Sequence, residues 1–286
     1  MSDADLGARV EAWARREEHV VLLVAIGSRA REAGAVGAAD AGSDWDYQLA
    51  TARPESLATP AWLEGLEVKV PAYAVRTGRL GSSTKVSAVT DRGELDVVIL
   101  PSDAMAAAAA AMKGPPASWP PPLRAALTDL AAVLAGGFQV LKDTAGFGPL
   151  VERVAREVPV ARLDDARVRA EAEAFVCDYV STWRKVERGE WIAAQRWLHH
   201  QLIESNFRLL HELRLRSGRM SFPDGRRLER LGEELAAEMA VSTTPDARSL
   251  RAALPRCADL HRRLVGRLLG DAWTWPDLRG LRLGGE

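Results

Sequence analysis

Three acidic residues and one glycine–serine pair carry the chemistry in this sequence. Gly27-Ser28 closes an apolar run, Asp44-Trp45-Asp46 follows a Gly/Ala-rich stretch, and Asp96 stands inside Glu94-Leu95-Asp96-Val97-Val98-Ile99. On a strand, side chains at i and i+2 share a face, so Asp44 and Asp46 project together with Trp45 to the other side. Two like charges held close repel unless a cation or a proton intervenes. Mg²⁺ is the natural cation, because it prefers oxygen ligands and binds through one or two carboxylates plus substrate phosphates. Asp96 alternates with Glu94 and Val98, leaving Leu95, Val97 and Ile99 for a core; an acid in so apolar a strand is costly without a partner. That partner is the same metal, or a substrate hydroxyl whose proton Asp96 removes. Gly27 lets the backbone approach a ligand closely. A short helix beginning near Ser28 aims free N–H groups at an anion, the Ser28 hydroxyl can donate to a phosphate oxygen, and Arg29 and Arg31 add positive charge. Singly these are ordinary features, and an isolated Asp-x-Asp is usually a turn or a solvated edge. Their order, spacing and strand context together point to a site for Mg²⁺ and a nucleoside triphosphate.

The elements that must position these residues are legible from periodicity. Helical spacing over 5–18 precedes a β-branched and leucine run, 19–26, of strand length. A short helix over 29–33 follows the Gly-Ser turn. Strands are expected at 44–51, 66–75, 85–90 and 94–100, which with one early helix suggests an α+β domain around a small mixed sheet. After Pro101 the pattern becomes helical: 102–113, capped by Ser102, then 123–135 beyond a proline-rich loop. A short extended segment at 138–143 follows. Helices are then expected over 149–158, 165–187, 190–216, 224–239 and 249–269, with Pro255 kinking or restarting the last. The chain therefore reads as an N-terminal domain, residues 1–150, followed by a C-terminal α-helical bundle, residues 151–286, that completes a substrate cleft, with the boundary falling near 145–160. The tail 280–286 reads as disordered.

Composition narrows the function classes. With 286 residues, 47% of them hydrophobic, the chain can bury a core in each of two domains. A net charge of −1 gives no global field to recruit nucleic acid or an anionic membrane. The two cysteines, Cys177 and Cys257, lie far apart without a C-x-x-C partner, which argues against a disulfide framework and a cysteine zinc site. The first residues lack the basic and apolar regions of a signal peptide, and no stretch is long and apolar enough to span a bilayer. A cytoplasmic protein is the expectation, without a membrane partner.

The residues quoted above resemble the nucleotidyltransferase superfamily typified by DNA polymerase β, whose pattern is a Gly-Ser turn after the first strand, then Asp-x-Asp, then a third acid on a later strand. Gly27-Ser28-Arg29-Ala30-Arg31 and Ser43-Asp44-Trp45-Asp46-Tyr47 look most like the streptomycin 6-adenylyltransferase group. The resemblance covers roughly the first hundred residues. It implies a nucleotidyltransferase domain with a small mixed sheet and transfer of a nucleoside monophosphate, AMP from ATP, to a hydroxyl of a small molecule such as an aminoglycoside. It further implies one or two Mg²⁺ ions held by Asp44, Asp46 and Asp96, with Asp96 as metal ligand or base and Gly27, Ser28 and Arg29 at the phosphates. Two departures stand out: the loop 31–42 is longer than usual and rich in Ala and Gly, and the third acid is Asp96 where some adenylyltransferases carry a glutamate.

From the helical half, Arg184, Lys185 and Arg188 are candidates for completing a phosphate clamp, weighed against an ordinary solvated helix face. An aminoglycoside acceptor would need carboxylates for its ammonium groups. Glu171 and Asp178, seven apart on one helix face, and Glu190 are the candidates, with Glu204 a further one. Trp183, Trp191 and Trp197 could stack on an acceptor or adenine, although tryptophans at helical spacing are more often core. His199-His200 lacks metal-ligand spacing and reads as packing or hydrogen bonding. Competing readings keep the same acids but change the role: a lincosamide or other metabolite as acceptor, a toxin–antitoxin-type nucleotidyltransferase acting on RNA or protein, or a non-catalytic nucleotide-binding relative.

Overall fold

The structure, a computed structural model, describes residues 5–70, the backbone of 72–77, and residues 83–232 and 234–279. The first residues and the tail, on which the leader and disorder expectations rest, lie outside the described residues. Contacts divide the chain into two compact units, Met1–Ala161 and Arg162–Glu286.

The first unit is an α+β sandwich around a six-stranded mixed sheet in the order β3-β4-β5-β2-β1-β6. The strands are β1 (Val20–Ile26), β2 (Trp45–Thr51), β3 (Ala72–Thr77), β4 (Thr84–Thr90), β5 (Gly93–Pro101) and β6 (Phe138–Asp143). β2 and β5 run parallel; every other neighbouring pair is antiparallel. β1 is an interior strand, flanked by β2 and β6 and covered on both faces, which is why it reads as an unbroken apolar run. Helix α1 (Leu6–Arg16), capped by Asp5, lies on one face with the 3₁₀ helix Pro60–Leu66. There Leu6, Val10, Trp13, Trp62 and Leu66 join Leu23, Tyr47, Leu49, Leu95, Val97 and Ile99 in one core. The single turn α2 (Pro54–Leu57) adds Leu57 to it. Helices α3 (Ser102–Ala111), α4 (Pro121–Leu134) and α5 (Gly148–Glu157) cover the other face. Their Met105, Leu127, Leu134 and Val154 pack on Leu22, Val24, Ile26 and Ala50. The division after Ala161 keeps α5 with the sheet.

The second unit is helical. It contains α6 (Asp165–Glu187), α7 (Trp191–Trp197), a π-helical segment Leu198–Ile203, α8 (Glu204–Arg216), the single turn α9 (Ala236–Met239) and α10 (Ala247–Leu269). Asp164 and Asp246 cap α6 and α10 through backbone N–H groups three residues on. Glu212, almost fully buried, accepts from Arg162, Arg216 and the Leu163 backbone. Burial would raise its carboxyl pKa, but those donors outweigh it and hold it below the usual range. No helix among the described residues is long and apolar enough to cross a membrane.

Several expected elements come out differently. The strand expected over 66–75 begins later, at Ala72, because Leu66 closes a 3₁₀ helix that buries Trp62, Leu63 and Leu66; Glu67 leaves that helix with φ 55°. The short helix after the Gly-Ser turn is the 3₁₀ turn Gly27–Ala30 rather than 29–33. Ser102 does not cap α3: β5 runs through Pro101 straight into the helix, so Ser102 already sits in its first turn. The helix expected over 224–239 is broken into short turns, with positive φ at Asp224, Gly225, Arg227 and Gly232. The segment 190–216 is helical throughout Trp191–Arg216 but changes to π geometry in the middle. Pro255 does not restart α10, which continues through it with the proline on its exposed side.

At the centre of the second unit His261 is fully buried, with its ring stacked on Phe175 at 3.6 Å between centroids. Its Nδ1 lies 2.8 Å from Asn206 Oδ1, while Asn206 Nδ2 donates to the Cys257 carbonyl. An amide oxygen only accepts, so the imidazole carries its proton on Nδ1. Nε2 is buried without a hydrogen-bond partner. Burial pushes the imidazole pKa down to about 3. The unfolded chain therefore holds a proton here that the folded chain refuses. The stabilisation is complete above the ordinary imidazole range and is lost as pH falls, at about 1.4 kcal/mol per unit below pH ~6.5. Urea titrations of the full chain should lose about 2 kcal/mol more between pH 8 and pH 5 than those of His261→Gln; equal losses would refute the assignment.

Candidate active site

The acidic residues converge at one end of the sheet. β2 and β5 are parallel neighbours with Asp46 in register with Asp96. Asp46, Gln48 and Ala50 point to the face that α3, α4 and α5 cover further along, and Asp96, Val98 and Leu100 do the same on β5. Leu95, Val97 and Ile99 are buried in the opposite core, as the alternation requires. Asp44 precedes the first residue of β2. Carboxylate oxygens of Asp44, Asp46 and Asp96 all lie within 4.8 Å of one another, and all three residues are half-buried.

Gly27 borders this cluster. It follows β1, whose Ile26 is paired with Asp46. Its φ of +74° is one that a side chain would strain, and a Cβ built on it would stand 3.2 Å from Asp46 Oδ2. The absent side chain thus keeps a Cβ from crowding that carboxylate oxygen. Gly27 N–H donates to the Gly137 carbonyl at 3.0 Å, fixing the turn to the approach of β6. Ser28 is nearly buried, and its carbonyl accepts from Ala39 N–H, which ties the long loop back onto the turn. Arg31 also holds that loop, donating to the Gly37 and Gly136 carbonyls.

Trp45 anchors the Asp-x-Asp from behind. Its ring stacks parallel to Tyr47 at 6.5 Å and lies against α1 so closely that a Cβ on Gly7 would come within 2.0 Å of it. Burial drives the Tyr47 phenol pKa up, so its hydroxyl stays protonated. The Arg29 guanidinium lies 3.9 Å from the Trp45 ring centroid and donates to the Asp44 and Ser43 carbonyls. Arg29 therefore shapes the backbone that carries Asp44.

Sequence reasoning missed Lys85. Its Nζ donates to Asp96 Oδ2 in an ion pair whose side chains are 35% and 26% exposed. The tight turn Thr90-Asp91-Arg92-Gly93 was the available signal. It sets Thr90 opposite Gly93, hence Ser87 opposite Asp96 and Lys85 on the diagonal.

The donor set suits a hard divalent ion: oxygen ligands only, mutually repelling, and beside a glycine that leaves room. The residues present fit Mg²⁺.

The second unit holds the remaining candidates. Arg184 is exposed on α6, Lys185 Nζ lies 4.2 Å over the Trp197 ring, and Arg188 is engaged bidentately by Glu190. Arg188 and Glu190, expected in two different roles, thus pair with each other. Glu171 accepts from Ser205 and Arg208. Asp178 has its carboxyl raised, first by burial and then by Glu171. Trp183 is core, Trp191 is exposed, and His199 Nε2 lies 3.3 Å from Thr243 Oγ1.

No protein-family model and no curated protein sequence matches the chain. Among solved structures, an aminoglycoside 6-adenyltransferase from Bacillus subtilis is similar over 95% of this chain and 92% of that chain, with 15% identity and a TM-score of 0.40. A nucleotidyltransferase-like protein from Exiguobacterium sibiricum is similar over 94% and 78%, with 11% identity and a TM-score of 0.34. At that level of overlap neither protein decides what this one does, and function is argued from the site itself.

The seating of Trp45 is testable without touching an acid. Gly7→Ala drives a methyl into the indole, so it should cost about 1–3 kcal/mol of stability and weaken Mn²⁺ binding. Urea unfolding and a Mn²⁺ titration check both; unchanged Mn²⁺ affinity in a destabilised variant would show that Trp45 does not position the Asp-x-Asp.

Proposed function

We propose that the first unit is a Mg²⁺-dependent nucleotidyltransferase site that moves a nucleoside monophosphate from a triphosphate to a hydroxyl group. The observation that carries the reading is the convergence of Asp44, Asp46 and Asp96 beside the positive-φ Gly27. Asp44 and Asp46 hold the metal, and Asp96 completes its ligand set or stands as the base nearest the acceptor. When bound, the metal offsets charge on the phosphates and on the leaving pyrophosphate. The turn at Gly27 and Ser28 admits the terminal phosphates against backbone, where a Cβ would intrude. The acceptor oxygen attacks the α-phosphorus as the bond to the β-phosphate's bridging oxygen breaks. Pyrophosphate leaves with that electron pair, and the hydroxyl proton passes to the Asp96 carboxylate.

Two finer assignments rest on the local words around Gly27 and Asp44 and on their resemblance to streptomycin 6-adenylyltransferases. The donor is ATP, and the acceptor is a small polyhydroxylated molecule carrying ammonium groups, of which an aminoglycoside is the type.

Purified protein with Mg²⁺ and ATP or GTP, screened against aminoglycosides, lincosamides and tRNA with a mass readout, should add one adenylyl group to an aminoglycoside. Mass added to tRNA instead would change the substrate class, and no metal-dependent pyrophosphate release with any acceptor would leave a binding protein. Asp46→Asn should lower Mg²⁺-dependent nucleotide affinity by at least about tenfold with the fold intact; wild-type turnover in that variant counts against the metal assignment. Asp96→Asn should reduce transfer on the order of a hundredfold or more while sparing nucleotide binding. Equal losses of both would make Asp96 a metal ligand alone.

A further inference from the structure

We infer that Lys85 is the resident counter-cation of this site and couples metal binding to nucleotide binding. The inference rests on the nucleotidyl-transfer reading above. Asp96 is one of three carboxylates whose oxygens crowd within 4.8 Å, and Lys85 donates to its Oδ2 across the β4–β5 ladder. The β4–β5 register places Lys85 diagonally from Asp96, on the same face of the sheet, so the pair is built into the hairpin. Arg29, also near the cluster, donates to two main-chain carbonyls and lies over Trp45.

An ammonium and a divalent ion compete for the same carboxylate oxygens. A metal that takes Asp96 must displace Lys85 or bind against its charge. A lysine suits such exchange, since it is a compact charge with three donors on a flexible stem, free of the fixed fork geometry of arginine. Metal alone leaves the displaced ammonium without an anion. A metal arriving with a nucleotide brings phosphates to the spot where the ammonium swings, so Lys85 trades a carboxylate for a phosphate. Metal and nucleotide therefore each tighten the binding of the other, by the same factor.

Mn²⁺ binding to the full chain, followed by the electron spin resonance of the free ion, tests this without turnover. It is measured with and without α,β-methylene-ATP for wild type, Lys85→Met, Lys85→Arg and Asp46→Asn. Lys85→Met should bind Mn²⁺ alone on the order of tenfold more tightly than wild type, and Lys85→Arg should stay near wild type. The tightening that the nucleotide analogue confers should shrink by the same factor in Lys85→Met. Where the methionine variant fails to fold by circular dichroism, Lys85→Gln makes the same comparison. Mn²⁺ affinity unchanged or weakened in the folded neutral variant, with binding still lost in Asp46→Asn, overturns the role of Lys85 and leaves the metal site standing. Absence of Mn²⁺ binding in wild type and in the Lys85 variants alike overturns the metal reading and this inference with it.

Discussion

Mutual repulsion among three carboxylates is the constraint around which the first unit is arranged. Groups with oxygens inside 4.8 Å of one another do not stay together on their own. Something must hold them in place, and something must answer their charge. The holding is done by the sheet. β2 and β5 are adjacent parallel strands buried under cores on both faces, and their register sets Asp46 beside Asp96. A slip of one residue would turn each aspartate into a core and bring Trp45 or Leu95 out. The apolar packing of Tyr47, Leu49, Val97 and Ile99 thus holds charges that would otherwise separate.

Answering the charge is a separate task, and the surrounding cations divide it. Lys85 meets Asp96 directly. Arg29 stays off the cluster and instead locks the backbone of Ser43 and Asp44 against the Trp45 ring. Arg31 pins the loop that returns from Ser28. One basic side chain is paired with an acid of the cluster, while two others build the loop that presents it. Counting positive residues near the site would have treated the three alike, whereas their hydrogen bonds separate them.

The parts of this arrangement that were legible in the sequence are those with a short-range cause. Alternation in 94–100 put Asp96 opposite the core, and the unbroken apolar run of β1 announced a central strand. The parts that were not legible depend on pairing between distant segments. The partnership of Lys85 needs the β4–β5 register, the seating of Trp45 needs α1 to cross behind it at Gly7, and the late start of the strand expected over 66–75 arose because Leu66 is claimed by Trp13 and its neighbours in the first core. In the second unit, helix existence and length were readable for α6 and α10. The broken segment 224–239 was not, since its glycines and left-handed residues interrupt a pattern that still looks amphipathic. Charged residues on helix faces told least: Arg188 and Glu190 lie two apart in sequence and satisfy each other.

The choice of aspartate at position 96 follows from the same geometry. The third acid has to bring an oxygen within 4.8 Å of Asp44 and Asp46 and leave the core side of β5 apolar. A short side chain on the strand next to β2 meets both demands with few rotatable bonds, so little conformational freedom is lost in holding it there. A glutamate would reach further past the cluster and would need its own anchor. Lys85 answers the charge of the short acid directly, its ammonium donating to Asp96 Oδ2. The flexible member of the pair is therefore the lysine on β4, with its long stem, while the aspartate on β5 is placed by the strand register.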